Sequence, residues 1–333
     1  MSSLENLSEA HPLPGDWKNP ELYEEVAETP SARLLLTGLT ADHPRYGRVF
    51  AAAADFAEPQ LLRCYFELLE RVSILEAENS ERGDFELKEP NGKFAGSLSK
   101  SKLFLSSDAP EIWQYSRSNG VAAHRDWASA CRNAQLELVE RDRLLRSWFG
   151  QLRPAPVPFR PPVADSRYRF QMYSFADPGD PCPIFVHGLF AFPQSEEVLL
   201  AYGSGAGWSA EAASDKAIRE FLQMYGFLLG EKVDAEEPKP APHPSYHQAM
   251  NFRPEGRKKI SGWLEGNHSV FASPPKSRGE PAIFYADISP PALQNKVFVA
   301  KAVCPERVPL TFGQARPRGA EKLPADLLIH PFV

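Results

Sequence analysis

A short acidic phrase occurs twice in this 333-residue chain. Residues 67–71 read Glu-Leu-Leu-Glu-Arg, and residues 137–141 read Glu-Leu-Val-Glu-Arg. Apolar side chains recur around each copy at intervals of three and four residues, which predicts two amphipathic helices. Because residues three or four apart lie on one face of a helix, each helix presents two carboxylates and a guanidinium on one patch.

Two such helices packed side by side would bring four carboxylates together, which is a costly concentration of like charge. Mg²⁺ relieves that cost, because it takes oxygen ligands and commonly bridges carboxylates to substrate phosphates. Arg71 and Arg141 could then hold the phosphates through forked hydrogen bonds. The alternative is that each phrase is a solvated helix face whose Glu and Arg pair with each other. The interpretation as a Mg²⁺ site predicts four metal ligands, Glu67, Glu70, Glu137 and Glu140.

Further patterns accompany the second phrase. Residues 118–123 read Ser-Asn-Gly-Val-Ala-Ala and precede a predicted helix that ends in Glu-Leu-Val-Glu-Arg-Asp. A Gly-Ser-Gly-Ala-Gly sequence at 203–207 is followed by Ala-Ile-Arg-Glu-Phe-Leu-Gln at 217–223. The chain ends with a predicted strand, a Pro turn and His-Pro-Phe at 330–332. Together these patterns resemble the signature of the YcaO family, over roughly residues 45–333.

The resemblance implies an ATP-dependent enzyme that phosphorylates the oxygen of a peptide bond and adds a nucleophile to its carbon. With a neighbouring Cys, Ser or Thr side chain as nucleophile, the enzyme is a cyclodehydratase that forms thiazolines or oxazolines in a ribosomally made precursor peptide, as in bacteriocin and antibiotic biosynthesis. With sulfide the product is a thioamide, and with a backbone amine an amidine. Phosphoryl transfer of this kind depends on positioning and on charge neutralisation by Mg²⁺ and cationic side chains.

The same resemblance implies an α+β or α/β fold, with mixed sheets and packed helices and with the paired Glu-x-x-Glu-Arg helices around an ATP and Mg²⁺ site. Strand-like segments alternate with the helices, as such a layered fold requires. The predicted strands are 168–173, 184–190, 197–202, 282–288 and 297–303.

Residue by residue, the resemblance makes the four glutamates metal ligands and makes Arg141 a contact of the nucleotide phosphates. Glu220 and Gln223 on the later helix are further predicted cofactor contacts. Arg71 is the analogous cation on the first helix, with a purely structural role as the alternative. No residue is assigned a catalytic role beyond these contacts.

Three positions depart from the family pattern. Arg125 and Ser129 stand where members often have Asn and Glu, and Tyr225 stands where many have Arg. Arg125 could supply a phosphate-binding charge from a new position, Ser129 a hydroxyl, and Tyr225 an uncharged hydrogen bond. The alternative is a degenerate site in a non-catalytic subunit that scaffolds a peptide-modifying complex. Retention of all four glutamates favours the active enzyme.

The predicted domains are an N-terminal extension, residues 1–45, and a YcaO-like domain, residues 46–333. The extension is too short for a leader-binding domain with its own core. We therefore predict a separate leader-binding protein, E1-like (ThiF-like), that delivers the ribosomal precursor peptide within a heteromeric complex. If azolines are oxidised to azoles, that complex would also hold a flavin dehydrogenase.

Composition excludes several other classes of protein. The net charge of -6 argues against general nucleic-acid binding, and no apolar run is long enough to span a membrane. The N-terminus lacks the apolar core of a secretory signal. Four cysteines without a Cys-x-x-Cys pair predict a reduced, cytoplasmic protein without zinc. The chain also lacks the Gly-x-x-x-x-Gly-Lys-Ser/Thr loop of P-loop ATPases.

Nine of the 32 prolines lie in two short runs, residues 154–162 and 236–244. Such runs cannot continue helices or central strands, so the first is predicted to cross the surface. The second is predicted to be a mobile connection, with a docking peptide as the alternative. Residues 79–102, rich in Ser, Lys, Glu and Gly, are predicted to form another exposed or mobile loop.

Overall fold

Runs of strands separated by helices form two compact units, each assembled from separate stretches of sequence. The structure is a computed structural model that describes residues 13–14, 16–195, 198–230, 242–250, 252–271, 282–293, 296–316 and 322–333. Within these ranges, the first unit takes residues 1–104, 120–137 and 283–303. The second unit takes residues 105–119, 138–282 and 304–333.

The described ranges contain both strands and α-helices, numbered here in chain order. The strands are β1 Lys18–Glu28, β2 Arg33–His43, β3 Gly47–Asp55, β4 Asp84–Lys88, β5 Phe94–Ser99, β6 Trp113–Tyr115, β7 Val121–His124, β8 Ala155–Val157, β9 Tyr168–Ser174, β10 Phe185–Pro193, β11 Ala201–Gly207, β12 Phe284–Asp287, β13 Phe298–Val303 and β14 Thr311–Gly313. The helices are α1 Leu61–Asn79, α2 Lys100–Leu103, α3 Trp127–Trp148, α4 Ala210–Gly230, α5 Pro244–Met250 and α6 Pro254–Leu264. The two acidic phrases lie in α1 and α3, as the sequence predicts.

The first unit contains two antiparallel sheets, in the orders β1-β2-β3 and β5-β4-β12-β13-β7. Helix α1 packs on β2 and β3 through the apolar stripe Cys64, Leu68 and Val72, whose spacing of four residues keeps them on one face. The predicted division at residue 45 falls between β2 and β3, which pair along their length. That division stays a prediction, since the structure groups the chain into units with different boundaries.

The prediction of a loop over residues 79–102 is wrong for most of its length. Strands β4 and β5 form an antiparallel hairpin there, and α2 follows directly. Phe85 and Leu87 alternate with polar residues and are buried in the core of the first unit. Two apolar residues separated by one polar residue are enough to anchor a hairpin at the edge of a sheet when a neighbouring strand can pair with it. Strand β12 is that neighbour and pairs with β4.

The second unit has a four-stranded sheet in the order β11-β10-β9-β8 and the two-stranded pair β14-β6. Helix α4 packs against β11 and β10. An aromatic core surrounds Trp263, whose ring contacts those of Trp148, Phe190 and Phe332. The His-Pro-Phe sequence near the end of the chain is thus buried in the second unit, where the His330 imidazole contacts Thr311 O.

Two other segments differ from or refine the sequence predictions. The predicted strand at 197–202 is observed as β11, which begins at Ala201 and runs on through the glycines to Gly207. Strand β8 lies within the first Pro-rich segment and occupies a sheet edge, where the missing N–H of Pro156 costs no ladder hydrogen bond. Most of the second Pro-rich segment, and the mobility predicted for it, lies outside the described residues.

The strand pairs defined in the described ranges are antiparallel. Of the two predicted classes the fold is therefore α+β, and the prediction of mixed sheets is wrong. Alternation of strands and helices suggested parallel crossovers, but the strands that follow one another in each sheet are joined mainly by hairpins or return from distant sequence. None of the described helices combines the length and apolar character that a membrane crossing needs.

Candidate functional site

In the first unit, Glu70 and Glu137 accept hydrogen bonds from the same strand. Ala123 N donates to Glu70 Oε1 and Val121 N donates to Glu137 Oε2, each over 2.7 Å. Strand β7 is the edge of its sheet and pairs with β13 on its other side. Its outward N–H groups would otherwise lack a ladder partner, so the two carboxylates close this edge.

Glu67 and Arg71 of the first phrase pair with each other. Arg71 Nη2 donates to Glu67 Oε1 over 2.6 Å, at the i, i+4 spacing that aligns side chains along a helix. The Arg71 side chain is 55% exposed, so this ion pair adds little to stability. This pairing agrees with the alternative in which Arg71 has a purely structural role. Phosphate binding by Arg71 stays a prediction.

In the second unit, Glu140 accepts three hydrogen bonds. Ser204 Oγ donates to Oε1 over 2.7 Å, while Ala206 N and Lys216 Nζ donate to Oε2 over 3.0 and 2.8 Å. Ser204 and Ala206 belong to β11, the edge strand of its sheet, and Lys216 lies on α4. A helix glutamate therefore closes the outer edge of a strand in this unit as well.

These contacts fix the charge of Glu140. Burial alone would raise the pKa of this carboxyl, which is 8% exposed. The Lys216 ammonium, the Ser204 hydroxyl and the charge of Arg141 outweigh burial and hold the pKa of Glu140 below its usual range. Repulsion between like charges, the cost predicted for four converging carboxylates, therefore does not govern the pKa of Glu140, because a cation is its nearest charged partner.

Lys216 and Ser204 are the residues of this site that sequence reasoning missed. Lys216 directly precedes the Ala-Ile-Arg-Glu-Phe-Leu-Gln sequence, and Ser204 lies between two glycines of the Gly-Ser-Gly-Ala-Gly sequence. Both patterns were noted, but neither spacing indicates that a residue on α3 lies beside them. The available signal was the position of Lys216, a cation four residues before Glu220 on the helix predicted to contact the cofactor.

The start of α3 carries the predicted contacts that depart from the family pattern. Helix α3 begins at Trp127, and Asp126 caps it by accepting the N–H of Ser129 at Oδ1 over 2.8 Å. Arg125 precedes the cap and is exposed. The Ser129 hydroxyl accepts a hydrogen bond from Arg132 Nη2. The predicted contacts of Arg125 and Ser129 with the nucleotide therefore stay predictions.

Arg141 lies on the part of α3 that belongs to the second unit. Its Nη1 donates to Ser118 Oγ over 3.3 Å, and Ser118 Oγ also contacts Ser116 Oγ. The contact between Arg141 and Ser118 thus links the Ser-Asn-Gly sequence to the second phrase. Gly120 has φ +68°, in the left-handed region that glycine adopts at low cost, which explains the glycine of this turn.

The glycines of β11 serve close packing of α4. A Cβ at Gly203 would lie 2.0 Å from Phe221 N, and one at Gly205 would lie 2.5 Å from Ala217 N. Glycine at alternate positions therefore lets the helix backbone lie directly on the strand. Glu220 and Gln223 lie half-buried on this helix, and their roles as cofactor contacts stay predictions.

We expect Gly205→Ala to destabilise the protein by about 1–3 kcal/mol, the usual range for overpacking, because its methyl group would overlap the backbone of α4. Gly83→Ala is the matched control, since a Cβ there meets no atom within 4 Å. Urea denaturation followed by circular dichroism would measure both. Equal midpoints for the two variants would contradict direct packing of α4 on β11.

Tyr225, the third residue that departs from the family pattern, packs in the interior of the second unit. It is fully buried, and its hydroxyl donates to Asp165 Oδ2 over 2.7 Å. Hydrogen bonds from Arg167 above all, and then from Tyr225, lower the pKa of Asp165 to about 2, although burial opposes the shift. The structure therefore gives Tyr225 a packing and hydrogen-bonding role.

We expect Tyr225→Phe to cost about 1.5–3 kcal/mol at pH 7, the range for hydrogen bonds to charged groups. The folded pKa of Asp165 lies below its unfolded value, about 3.9. Its contribution is therefore present above the unfolded pKa and is lost as the pH falls toward 2. The difference between wild type and variant should shrink over that window in denaturation curves. Tyr173→Phe is the control, and a pH-independent difference would refute the coupling.

No group of three or more His, Cys, Asp or Glu side chains is placed to hold a metal ion within the described ranges. Convergence of the four glutamates on shared Mg²⁺ stays a prediction. By their chemistry the residues fit such an ion, because carboxylates are its preferred protein ligands and Glu140 favours the ionised form. No disulfide joins the four cysteines in the described ranges. The reduced state predicted from their spacing stays a prediction.

A sequence model of the YcaO family, described as an ATP- and Mg²⁺-binding cyclodehydratase, matches residues 103–307. The match covers more than half of the chain and includes the phrase in α3, whereas the phrase in α1 lies outside it. No curated protein matches the chain significantly.

Several solved structures share the fold. YcaO from Methanopyrus kandleri, bound with AMPPCP and Mg²⁺, is 15% identical over 85% of this chain and 84% of its own, with a TM-score of 0.52. A chain of the E. coli microcin synthetase McbBCD complex is 12% identical over 86% of this chain and 88% of its own, with a TM-score of 0.54. A heterocyclase in complex with substrate and cofactor gives 14% identity and a TM-score of 0.55 over 93% of this chain. The chain spans 52% of that heterocyclase.

The fold and the residues around α3 define a YcaO-type α+β protein. The chain belongs to the YcaO family, whose members are ATP-dependent enzymes.

Proposed function

We propose that this chain is an ATP-dependent cyclodehydratase subunit that acts on a ribosomal precursor peptide. An amide oxygen of the peptide would attack the γ-phosphorus of ATP and release ADP. A neighbouring Cys, Ser or Thr side chain would add to the activated carbon, and the phosphorylated oxygen would leave as phosphate, closing a thiazoline or oxazoline. The proposal rests on the family match together with the ionised, rigidly held Glu140 within it.

Each proposed residue has a defined task in this reaction. Glu67, Glu70, Glu137 and Glu140 would hold Mg²⁺, which when bound neutralises the charge of the nucleotide phosphates. Main-chain N–H groups orient two of these carboxylates in the first unit and one in the second. A ligand whose rotamer is fixed in advance does not lose that freedom on binding, which favours affinity.

Cationic and polar side chains would contact the nucleotide. The proposed contacts are Arg71, Arg125, Ser129, Arg141, Glu220 and Gln223. The guanidinium groups suit phosphate oxygens because they can donate two parallel hydrogen bonds and stay charged at all relevant pH values.

A non-catalytic scaffold subunit is the second candidate. The observation that favours it is the Lys216 ammonium, 2.8 Å from Glu140 Oε2, because it already supplies the positive charge that a metal ion would bring. Calorimetry separates the two candidates: an enzyme should bind Mg-ATP at millimolar nucleotide, and a scaffold should not, even with its partners and peptide present.

The direct test combines the chain, its partner proteins, a candidate precursor peptide and ATP. Peptide-dependent release of phosphate, together with loss of one water mass per ring in the peptide, would support cyclodehydration. A peptide that gains sulfur instead would indicate thioamide formation. We further propose that a leader-binding partner is required, so the isolated chain should show little activity on a leader-bearing peptide.

We expect Arg125→Ala to weaken Mg-ATP binding by more than tenfold, about 1.4 kcal/mol, because an exposed cation ahead of α3 would no longer face a phosphate. Calorimetric titration measures the change. Arg160→Ala, which removes another exposed cation, is the control. Equal affinities in both variants would remove Arg125 from the proposed nucleotide contacts.

A further inference from the structure

A pocket of about 210 Å³ lies in the first unit, at the C-terminal end of α1. Its apolar wall contains Ile288, Pro290 and Pro291, and two arginines, Arg45 and Arg82, also line it. None of these residues belongs to the acidic phrases or to the predicted nucleotide contacts. The pocket is therefore separate from the residues assigned to ATP chemistry.

The polar groups of the pocket other than the arginines are largely engaged within the protein. Ser289 Oγ donates to Asp287 Oδ1 and accepts the N–H of Val299. Ser80 Oγ donates to Ala77 O, and Ser80 O accepts from Lys100 Nζ. These bonds fix the wall and use its hydroxyl groups internally.

Glu76 is held by a histidine. His43 Nδ1 accepts the N–H groups of Arg45 and Tyr46, so the ring proton lies on Nε2 and points to Glu76 Oε1 over 3.2 Å. The His43 ring also stacks on Tyr46, at 4.7 Å between centroids. The carboxylate is thus fixed in place and is itself able to accept an N–H from a ligand.

The guanidinium groups of Arg45 and Arg82, unlike the hydroxyl groups of the pocket, are available to a ligand. Arg45 and Arg82 are both exposed, and in the described part of the chain neither has a carboxylate partner; the Arg45 guanidinium only lies over the Tyr46 ring, 5.6 Å from its centroid. Two positive charges against one carboxylate leave the pocket with an excess of one positive charge, in a protein whose net charge is -6. An anionic occupant complements that local excess.

We propose that this pocket binds an acidic peptide segment of a partner protein, in which a Glu or Asp lies next to an apolar residue. The carboxylate would pair with Arg45 and Arg82, the apolar side chain would cover the Pro290–Pro291 wall, and a peptide N–H would reach Glu76. Charge and apolar wall together favour a peptide over a simple inorganic anion, which would leave the wall uncovered. This binding is independent of the proposed ATP chemistry.

The test uses the full chain and fluorescence anisotropy. The probe is a fluorescein-labelled Leu-Glu-Leu-Glu-Leu amide, and its neutral analogue replaces both Glu by Gln. We expect the neutral analogue to bind at least tenfold more weakly, and higher salt to weaken binding of the acidic probe. The double variant Arg45→Gln/Arg82→Gln should lose at least tenfold for the acidic probe. The charge-matched control, Arg160→Gln/Arg253→Gln, should retain wild-type affinity.

Each opposite result would overturn the proposal. Equal binding of both probes would mean that the apolar wall acts alone, and undiminished binding by the pocket variant would place the site elsewhere. Displacement of the probe by millimolar inorganic phosphate would indicate a general small-anion site. Absence of binding to wild type would exclude the acidic peptide. Thermal melts of both double variants confirm folding, which exposed arginines without ion pairs should leave unchanged.

Discussion

Glu140→Gln is expected to abolish peptide-dependent phosphate release, with a loss of more than about 100-fold. Mutation of residues that hold metal ligands in place typically lowers metal affinity or activity 10- to 100-fold. Loss of Glu140, which we propose as a direct Mg²⁺ ligand, should lower activity at least as much. The measurement is phosphate release by the assembled complex in the presence and absence of peptide. Glu111→Gln, which neutralises an exposed carboxylate, is the control.

Glu140→Gln also has a structural effect that must be separated from catalysis. It leaves the half-buried Lys216 ammonium beside a neutral amide, and loss of one member of a partly buried ion pair is destabilising. Glu137→Gln avoids this problem, because the amide oxygen can still accept the N–H of Val121. The double variant Glu140→Gln/Lys216→Gln removes the orphaned cation. Wild-type turnover in Glu137→Gln would count decisively against its role as a metal ligand.

The largest stability effect is expected at Arg307. In the interior of the second unit, Arg307 Nη1 donates to Asp142 Oδ2 over 3.0 Å and Nη2 donates to Asp180 Oδ1 over 3.1 Å. All three side chains are fully buried. Arg307→Met should therefore cost about 3–5 kcal/mol, since it removes the cation that joins the two buried carboxylates. After the change Asp180 keeps Arg143 as an ion-pair partner, and Asp142 keeps the longer contact with Arg146, at 3.9 Å. Guanidinium denaturation measures this cost, with exposed Arg160→Met as the control.

The pH dependence of the Arg307 variant distinguishes lost charge pairing from lost packing. Burial would raise the pKa of Asp180, but the hydrogen bonds and charge of Arg307, with smaller contributions from Cys182 N–H and Arg143, hold that pKa below its usual range. In wild type this contribution is present above the unfolded pKa and falls away on acidification. In the variant Asp180 loses the bonds from Arg307 but keeps Arg143, so its pKa should rise toward the unfolded value and the two curves should converge at low pH. A constant difference would indicate that Arg307 acts mainly through packing.

The sequence does not predict the buried ionic network, although one of its members, Asp142, adjoins the second phrase. Asp142 directly follows Arg141 in the sequence, and its partner Arg307 is far away along the chain. Charged residues on a helix are usually solvated, so the pattern favoured a surface face. The contacts of Asp142, Arg143 and Arg146 with distant residues show that this side of α3 is buried and paired.

The local pattern of residues determined much about this protein. Apolar periodicity placed the two acidic phrases in α1 and α3, and the Ser-Asn-Gly and glycine patterns, together with the phrase in α3, indicated the YcaO family. These features are encoded over short stretches, because helix periodicity and turn chemistry act between near neighbours. The order of the motifs could therefore be read without coordinates.

The tertiary structure decided which groups those residues contact. Edge strands β7 and β11 supply N–H groups to Glu70, Glu137 and Glu140, and α4 supplies Lys216. Such partners come from distant positions, and their choice depends on which strand ends at a sheet edge. The glycines of β11 were visible in the sequence, but their purpose, contact with the backbone of α4, is a property of packing. Side-chain charge is encoded in sequence, whereas its partner and its burial are set only when the chain is folded.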